Sequence, residues 1–529
     1  MTRLTTAQPL LRLLGPIAFV GVVFSLLFIG SRLHSQSIYF QDETDHVAMG
    51  WMMVEFDKSL YTDLSTNHQP IPVLFGAVLS SVIEYQTLFD LIEQIRFSMF
   101  VFSLVTSVLL TIRFGWRGAV ASTLTYSLAY LYFGWYVLAE SLSVPAVLFM
   151  TLYLAEVYFR DTKPTSKVSL TDSVIFGSAA FWAVFSLLPL IPFVIVSTIL
   201  VLMRVSNAQR LAVVMTGLVC VAVLASVVSP KAWYEETVAN NSRYVLIDQK
   251  PFTLTRLAAL VLYPFSGFAH LDNNLARGIL FPPLLAIIAA IALRLQKHIS
   301  NTQLIIGALL AVVIGLANMR VTSFPVAFYG GFHLYPYLAA LFAYSAFWIV
   351  RAAQHVRPSV FIVPLIAILL GSTLWSNMQW VFEEKNKMDE YYIQYGMQES
   401  HARLMRLIAA ENDTFFSGPN GHGYINMMSG LPIAGRQLFH LEWAYRSPKL
   451  RQEFHELMEM NPPTFIYLTE DTSGYHTDLM ETYLPQFYYP MRHNDSRSQL
   501  YILKTKADSL TEAQHSEMTD FQYQIIQDF

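Results

Sequence analysis

At 529 residues, 54% of them hydrophobic and 14% charged, with a mean hydropathy of +0.41, the chain is too apolar to be soluble along its whole length. A formal net charge of −4 leaves no basic footprint for nucleic acid. One cysteine, Cys220 inside an apolar run, excludes an intramolecular disulfide framework and any cysteine-based zinc cluster. Apolar runs fill residues 13–376, whereas residues 377–529 have the mixture of a water-soluble domain. The chain therefore reads as a membrane region followed by a tail large enough for one core.

A membrane-crossing helix needs about 20 apolar residues. Eleven segments qualify, at 13–31, 87–112, 118–138, 141–159, 170–188, 190–203, 211–228, 278–293, 302–318, 334–350 and 359–376. The first follows Arg3 and Arg12 and runs on without a small-residue cleavage site, so it reads as a retained signal anchor. Pro189 and Pro192 mark a tight turn at the short sixth segment.

Cytoplasmic loops collect lysine and arginine. With the N-terminus inside, the inside loops carry Arg113 and Arg117; Arg160, Lys163 and Lys167; Arg204 and Arg210; Arg294 and Lys297; Arg351 and Arg357. This orientation puts the loops at 32–86, 229–277 and 319–333 outside, together with the tail. Residues 70–84 are apolar but too short to cross, and a crossing there would turn Arg113 and Arg117 outward. They are expected as a re-entrant or interface-lying helix. No internal repeat is evident, which argues against a secondary transporter.

In the tail, helix-like patches at 386–411, 448–460 and 475–484 alternate with strand-like ones at 414–418, 464–470 and 498–504. That pattern predicts a small α/β domain. The last 20 or so residues are polar and expected to fray.

Chemistry-bearing residues gather in the stretch from Gln41 to Pro72. It opens on Asp42, Glu43 and Asp45, which read as a helix start with Asp42 as N-cap. The same capping would also fix a carboxylate where a site needs one. Glu140, at the junction of the third and fourth spans, is an acid in apolar surroundings. It is either a helix cap, a task Ser141 and Ser143 share, or a functional group. Arg96 and Glu93, early in the second span, read as a structural pair. His68, Arg320 and His333 either hold an anion or are plain surface residues. The run Gly418–Gly423 follows a strand but fits neither phosphate-binding glycine pattern, so it reads as a turn.

The order of these motifs resembles the GT-C superfamily of polyprenyl-phosphate-sugar-dependent transferases, in its protein mannosyltransferase and lipid A aminoarabinose transferase branch. Asp42-Glu43 matches the family's acidic pair after the first span. Tyr61-Thr-Asp63 and Asn67-His68-Gln69-Pro70 match its tyrosine–acid segment and proline motif. Arg96 and Glu140 match its arginine and second acid, and His333-Leu-Tyr335-Pro336 matches the motif opening a late span. Three positions depart from the pattern. The double proline is Pro70-Ile71-Pro72, His68-Gln69 replaces the usual lysine, and His333 stands where arginine or lysine is usual.

The resemblance implies a polytopic α-helical, GT-C-like membrane protein of about 11 spans with an extracytoplasmic C-terminal α/β domain, in a bacterial inner membrane. It implies inverting transfer of a sugar from a polyprenyl-phosphate donor to a hydroxyl of an extracytoplasmic glycan, lipid or protein. Asp42 and Glu43 would be the catalytic acids. Glu140, Tyr61, Asp63, His68, Gln69, Arg320, His333 and Tyr335 would bind substrates. No cofactor is demanded, although acids and histidines lie close enough in sequence to leave a divalent metal open. A transporter or an envelope sensor with an external binding domain are the rival readings.

Overall fold

A computed structural model describes residues 7–34, 40–159, 169–245, 253–270, 274–317, 332–355, 371, 375, 388–438, 440, 442–469, 474–494 and 496–527. All but residues 371 and 375 of the expected span at 359–376, together with Arg320 and most of the 319–333 loop, lie outside the described residues. The chain divides into two compact units. One comprises Met1–Ser35, Arg96–Leu224 and Pro251–Asn386; the other comprises Gln36–Ile95, Ala225–Lys250 and Lys387–Phe529. The compositional boundary at residue 376 therefore does not separate them, because two segments from the apolar part cluster with the tail.

Among the described residues, the α-helices ahead of the tail are α1 (Ala7–His34), α2 (Gln41–Glu55), α3 (Pro70–Ser80), α4 (Leu88–Phe114), α5 (Trp116–Tyr126), α6 (Ala139–Phe159), α7 (Leu170–Ser186), α8 (Ile191–Arg204), α9 (Asn207–Val227), α10 (Pro230–Trp233), α11 (Leu254–Leu262), α12 (Asn274–Leu295), α13 (Asn301–Gly315) and α14 (Tyr335–His355). Among the described residues, six helical stretches are long and apolar enough to cross a bilayer: Leu13–Arg32, Leu88–Phe114, Ala139–Phe159, Asn207–Val227, Ala276–Leu295 and Phe332–His355. The protein is thus an integral membrane protein. Three further expected spans, 170–188, 190–203 and 302–318, are shorter apolar helices. Pro70–Ser80 is shorter still, about 16 Å at 1.5 Å per residue, half of a hydrocarbon core of about 30 Å.

In the first unit α14 is buried almost throughout, with Tyr335, Leu338, Phe342 and Ala346 in its core. By contrast, α9 exposes Leu211, Leu218, Val219 and Val223. An apolar helix exposed on this scale suits lipid rather than water. Arg113 at the end of α4 donates from Nε to Asp172 (2.5 Å) and from Nη2 to Glu156 (2.9 Å). Asp172 doubles as the N3 partner of Ser169 in the capping box that opens α7.

The third expected span, 118–138, is not a continuous helix. α5 stops at Tyr126, and residues 127–138 run through consecutive turns. The aromatic side chains explain the break. Tyr126 and Trp135 stack at 5.8 Å, Trp135 also meets Phe100 at 5.2 Å, and Phe133 takes a positive φ of 53°. A Cβ on Gly134 would lie 2.7 Å from the Tyr335 hydroxyl. Irregular backbone is tolerable in a membrane protein only when it is buried in protein and bonded to itself. Here Leu131 N–H donates to Leu128, Gly134 N–H to Ala129 and Tyr136 N–H to Phe133.

The tail carries a five-stranded sheet in the order β1-β2-β4-β3-β5, with β1 (Phe415–Gly418), β2 (Phe465–Leu468), β3 (Tyr488–His493), β4 (Ser496–Leu503) and β5 (Tyr523–Ile525). β1 and β2 are parallel, with Phe416 opposite Ile466; the remaining pairs are antiparallel. Its helices include α15 (Met388–Ile408), α16 (Gly423–Ser429) and α17 (Pro448–Met460). α17 starts as its sequence dictates, with Ser447 as N-cap and Pro448 at the first helical position. It buries Leu450, Phe454 and Met458, four residues apart, against Ile466 and Tyr475.

The last residues do not fray. Thr511 and Gln514 form a capping box that opens a helix at Glu512–Asp520, and β5 then pairs with β3, His493 opposite Tyr523. The Tyr523 hydroxyl lies 2.5 Å from His401 Nδ1.

Burial pushes His401, His422 and His440 down to about 3. Their ordinary value near 6.5 applies once unfolded, so the unfolded chain binds more protons across that interval and stability falls as pH drops from about 6.5 towards 3. Thermal unfolding of the full chain in detergent should shift downward by several degrees between pH 7 and pH 5, ahead of ordinary carboxylate titration. Replacing His401 and His422 by glutamine should flatten that slope; an unchanged slope would contradict the assignment.

Candidate functional site

The acidic run QDETD starts α2, but Asp42 is not its N-cap. Phe40 occupies the cap without a side-chain bond, and Asp42 and Glu43 sit in the first turn, where the helix dipole favours negative charge. Successive helical positions then separate the acids. Asp42 leaves 36% of its side chain exposed, whereas Glu43 and Asp45 are fully buried. Burial, opposed in part by a hydrogen bond from Thr66, pushes Asp45 up to about 8, so its carboxyl is largely protonated at neutral pH.

Two glycines bring the rest of the site to Asp45. A Cβ on Gly76 of α3 would lie 2.4 Å from the His46 carbonyl oxygen, and one on Gly50 of α2 would lie 2.2 Å from the Ala77 nitrogen. The helices thus cross backbone against backbone. The loop that joins them folds back so that Thr66 donates to Asp45 Oδ2 at 2.8 Å and its oxygen accepts from the His68 N–H at 3.2 Å. His68 Nε2 then lies 3.6 Å from Asp45 Oδ2 and 3.8 Å from Asp42 Oδ1. The His46 ring meets the His68 ring edge-on at 4.6 Å. One ligand atom each from Asp45, His46 and His68 falls within 4.8 Å of the others.

Other expected binding residues hold this loop. Tyr61, buried and at a φ of 66°, donates its hydroxyl to the His68 carbonyl at 2.7 Å. Asp63 accepts the Ser59 N–H at 2.9 Å. Gln69 caps α3 and accepts from Trp233 Nε1 at 3.2 Å. Arg436, in the loop after α16, grips the loop from its other side. It donates to the carbonyls of Thr62 and Tyr61, both at 2.8 Å, and pairs with buried Glu236 at 3.2 Å. Glu236 also accepts from Ser65 at 3.0 Å.

The first unit has its own polar pair. Glu140, in the first turn of α6 and 3% exposed, lies 2.6 Å from His333 Nδ1. Ser141 and Ser143 bond the carbonyls of Phe133 and Glu140. Tyr335 is buried, stacked on Tyr132 with centroids 6.2 Å apart. Arg96, 2% exposed, lies 3.8 Å over the Tyr136 ring.

The expected residues therefore fall into two groups, Asp42 with His68 in one unit and Glu140 with His333 in the other. Beside two carboxylates, His68 is poorly placed to attract a phosphate by itself. Asp45, His46, Glu236 and Arg436 were missing from the expected set. The spacing 42, 45, 46 on one helical face was the available signal for the first two.

No protein-family model matches the chain, and no curated protein does. Among solved structures, ArnT from Cupriavidus metallidurans bound to undecaprenyl phosphate aligns over 92% of this chain and 97% of that one, at 13% identity and a TM-score of 0.52. The apo state of the same protein aligns over 92% and 96%, at 13% identity and a TM-score of 0.48. The chain has an ArnT-like fold.

Removing Arg436 would leave Glu236 buried beside an empty cation position, a change that costs about 3 kcal/mol. Arg436→Ala should lower the unfolding temperature of the full chain by several degrees and raise proteolytic cleavage within 56–69. Arg436→Lys should recover only part of this, because one ammonium cannot span both carbonyls and the carboxylate. Wild-type unfolding in the alanine variant would refute the clamp.

Proposed function

We propose that the protein is an inverting glycosyltransferase that moves a sugar from a polyprenyl phosphate to a hydroxyl acceptor outside the cytoplasm. The observation that carries the reading is Asp42: a half-exposed carboxylate on the first turn of α2, held at the family motif's position in a chain of ArnT-like fold. The ArnT structure holding undecaprenyl phosphate supports a lipid-linked donor. The grouping of 36–95 and 225–250 with the tail supports an extracytoplasmic second unit, since basic-residue placement puts all three on one side.

In the proposed reaction the acceptor hydroxyl attacks the anomeric carbon, the new glycosidic bond forms with inversion, and the polyprenyl phosphate leaves with the bonding electrons. Asp42 orients the hydroxyl and takes its proton late in the transition state, when that proton has become acidic. Glu43, being buried, supports the helix start rather than touching substrate. Glu140 and His333 serve the donor: the carboxylate fixes the imidazole through Nδ1, and Nε2 would meet the departing phosphate. Arg320 is the second proposed phosphate partner. Tyr61, Asp63 and Gln69 act by holding the loop that carries His68.

Purified protein supplied with a labelled polyprenyl-phosphate sugar tests these roles. Asp42→Asn should lower the transfer rate by about 10²- to 10⁴-fold, as expected for loss of a positioned base. Glu140→Gln should mainly weaken donor use. If both variants transfer at the wild-type rate, the residue assignment fails.

A further inference from the structure

We propose that Asp45, His46 and His68 form a binding site for one divalent first-row transition metal ion of the zinc type. Two independent observations carry it. Their three ligand atoms converge within 4.8 Å, and Asp45 Oδ1, in a fully buried side chain, has no hydrogen-bond partner among the described residues. A buried carboxyl oxygen normally finds a partner, and a cation at the centre of this cluster supplies one.

The spacing suits such an ion. With metal–ligand distances near 2.0–2.2 Å, tetrahedral donors sit roughly 3.4 Å apart, and His68 Nε2 to Asp45 Oδ2 is already 3.6 Å. Since no pair is more than 4.8 Å apart, none has to close by more than about 1.4 Å to reach tetrahedral spacing, which side-chain torsions can supply. The supporting contacts are those that orient ligands in known sites. Thr66 fixes the Asp45 carboxyl, its oxygen receives the His68 N–H, and Tyr61 anchors the His68 carbonyl.

Donor chemistry narrows the ion. Two imidazoles and one carboxylate suit zinc and its transition-metal neighbours, whereas magnesium and calcium take oxygen ligands. Three protein ligands leave an open position, and Asp42 Oδ1 lies 3.8 Å from His68 Nε2. An oxygen ligand there, from water, a hydroxyl or a phosphate, would meet Asp42. Binding of the ion stands without the proposed transfer reaction; only this consequence rests on that reading.

The test uses full-length protein in detergent, carrying a tag without histidine and stripped with chelator. Titration with Zn²⁺ should show one tight site per chain, and Co²⁺ should develop visible bands of nitrogen- and oxygen-ligated metal. His46→Gln and His68→Gln should each weaken Zn²⁺ binding at least 100-fold, whereas His455→Gln should bind as wild type, because His455 lies in α17 with its Nδ1 2.7 Å from the Tyr483 hydroxyl. Zn²⁺ should also raise the unfolding temperature of wild type but not of the His46 and His68 variants. Should those variants fail to fold, the wild-type stoichiometry and Co²⁺ spectrum decide. Less than about 0.1 equivalent bound, wild-type affinity in both histidine variants, or equal protection by Mg²⁺ overturns the proposal. Because none of these readouts involves sugar transfer, a failure here leaves the transferase reading standing.

Discussion

The close crossing of α2 and α3 at Gly50 and Gly76 is the constraint on which the candidate site depends. Because neither glycine has a Cβ, the two backbones approach to a distance that any side chain would prevent. That approach fixes where α3 begins, and hence where the residues just before it must sit. Thr66 and His68 are brought to Asp45 by this geometry together with the loop contacts of Tyr61, Gln69 and Arg436. Gly423 makes a similar approach from α16, where a Cβ would meet Ala48 at 2.4 Å and the Thr44 carbonyl at 2.8 Å. The acidic helix is thus packed closely on two sides, with its middle buried and only its two ends reaching the surface.

Around that scaffold the protein treats each buried charge differently, and the differences separate structure from chemistry. Arg113 is neutralised by two carboxylates at the ends of three helices. Glu236 is matched by Arg436 and by the hydroxyl of Ser65, a fully satisfied network that stiffens a loop. Asp45 follows another course: burial favours its neutral form, and only one of its oxygens is bonded. Asp42 keeps access to water. Paired groups hold the fold, whereas the incompletely satisfied acid and its exposed neighbour are the ones proposed to meet ligands.

Much of this architecture was legible because apolar runs and amphipathic spacing act locally. Leu450, Phe454 and Met458 announce α17 by their spacing, and the long span at 207–227 is apolar all round. The break after Tyr126 was not legible, because SLAYLYFGWYV is as apolar as a spanning helix. Only packing of Tyr126, Trp135 and Phe100 against one another shows that its backbone turns instead. β3 was missed because Pro490 interrupts its strand pattern, and β5 because it has only three residues and is identified by its pairing with β3. At the site, the acids were visible as a run, but their roles were not. Whether Asp42 or Asp45 meets solvent depends on helix phase, and the approach of His68 to Asp45 depends on a helix crossing. The pairing of Glu140 with His333 joins residues far apart in sequence, and no local pattern encodes it.

The central claim is that this chain breaks the bond between a sugar and a polyprenyl phosphate. The most direct measurement follows a radiolabelled sugar on such a lipid, incubated with the purified full-length protein and an extract of bacterial envelope acceptors. The account predicts time-dependent movement of label from the lipid to a larger acceptor, with release of one polyprenyl phosphate per sugar transferred. Label that stays on the lipid across donors differing in sugar, with protein that remains folded, would contradict it.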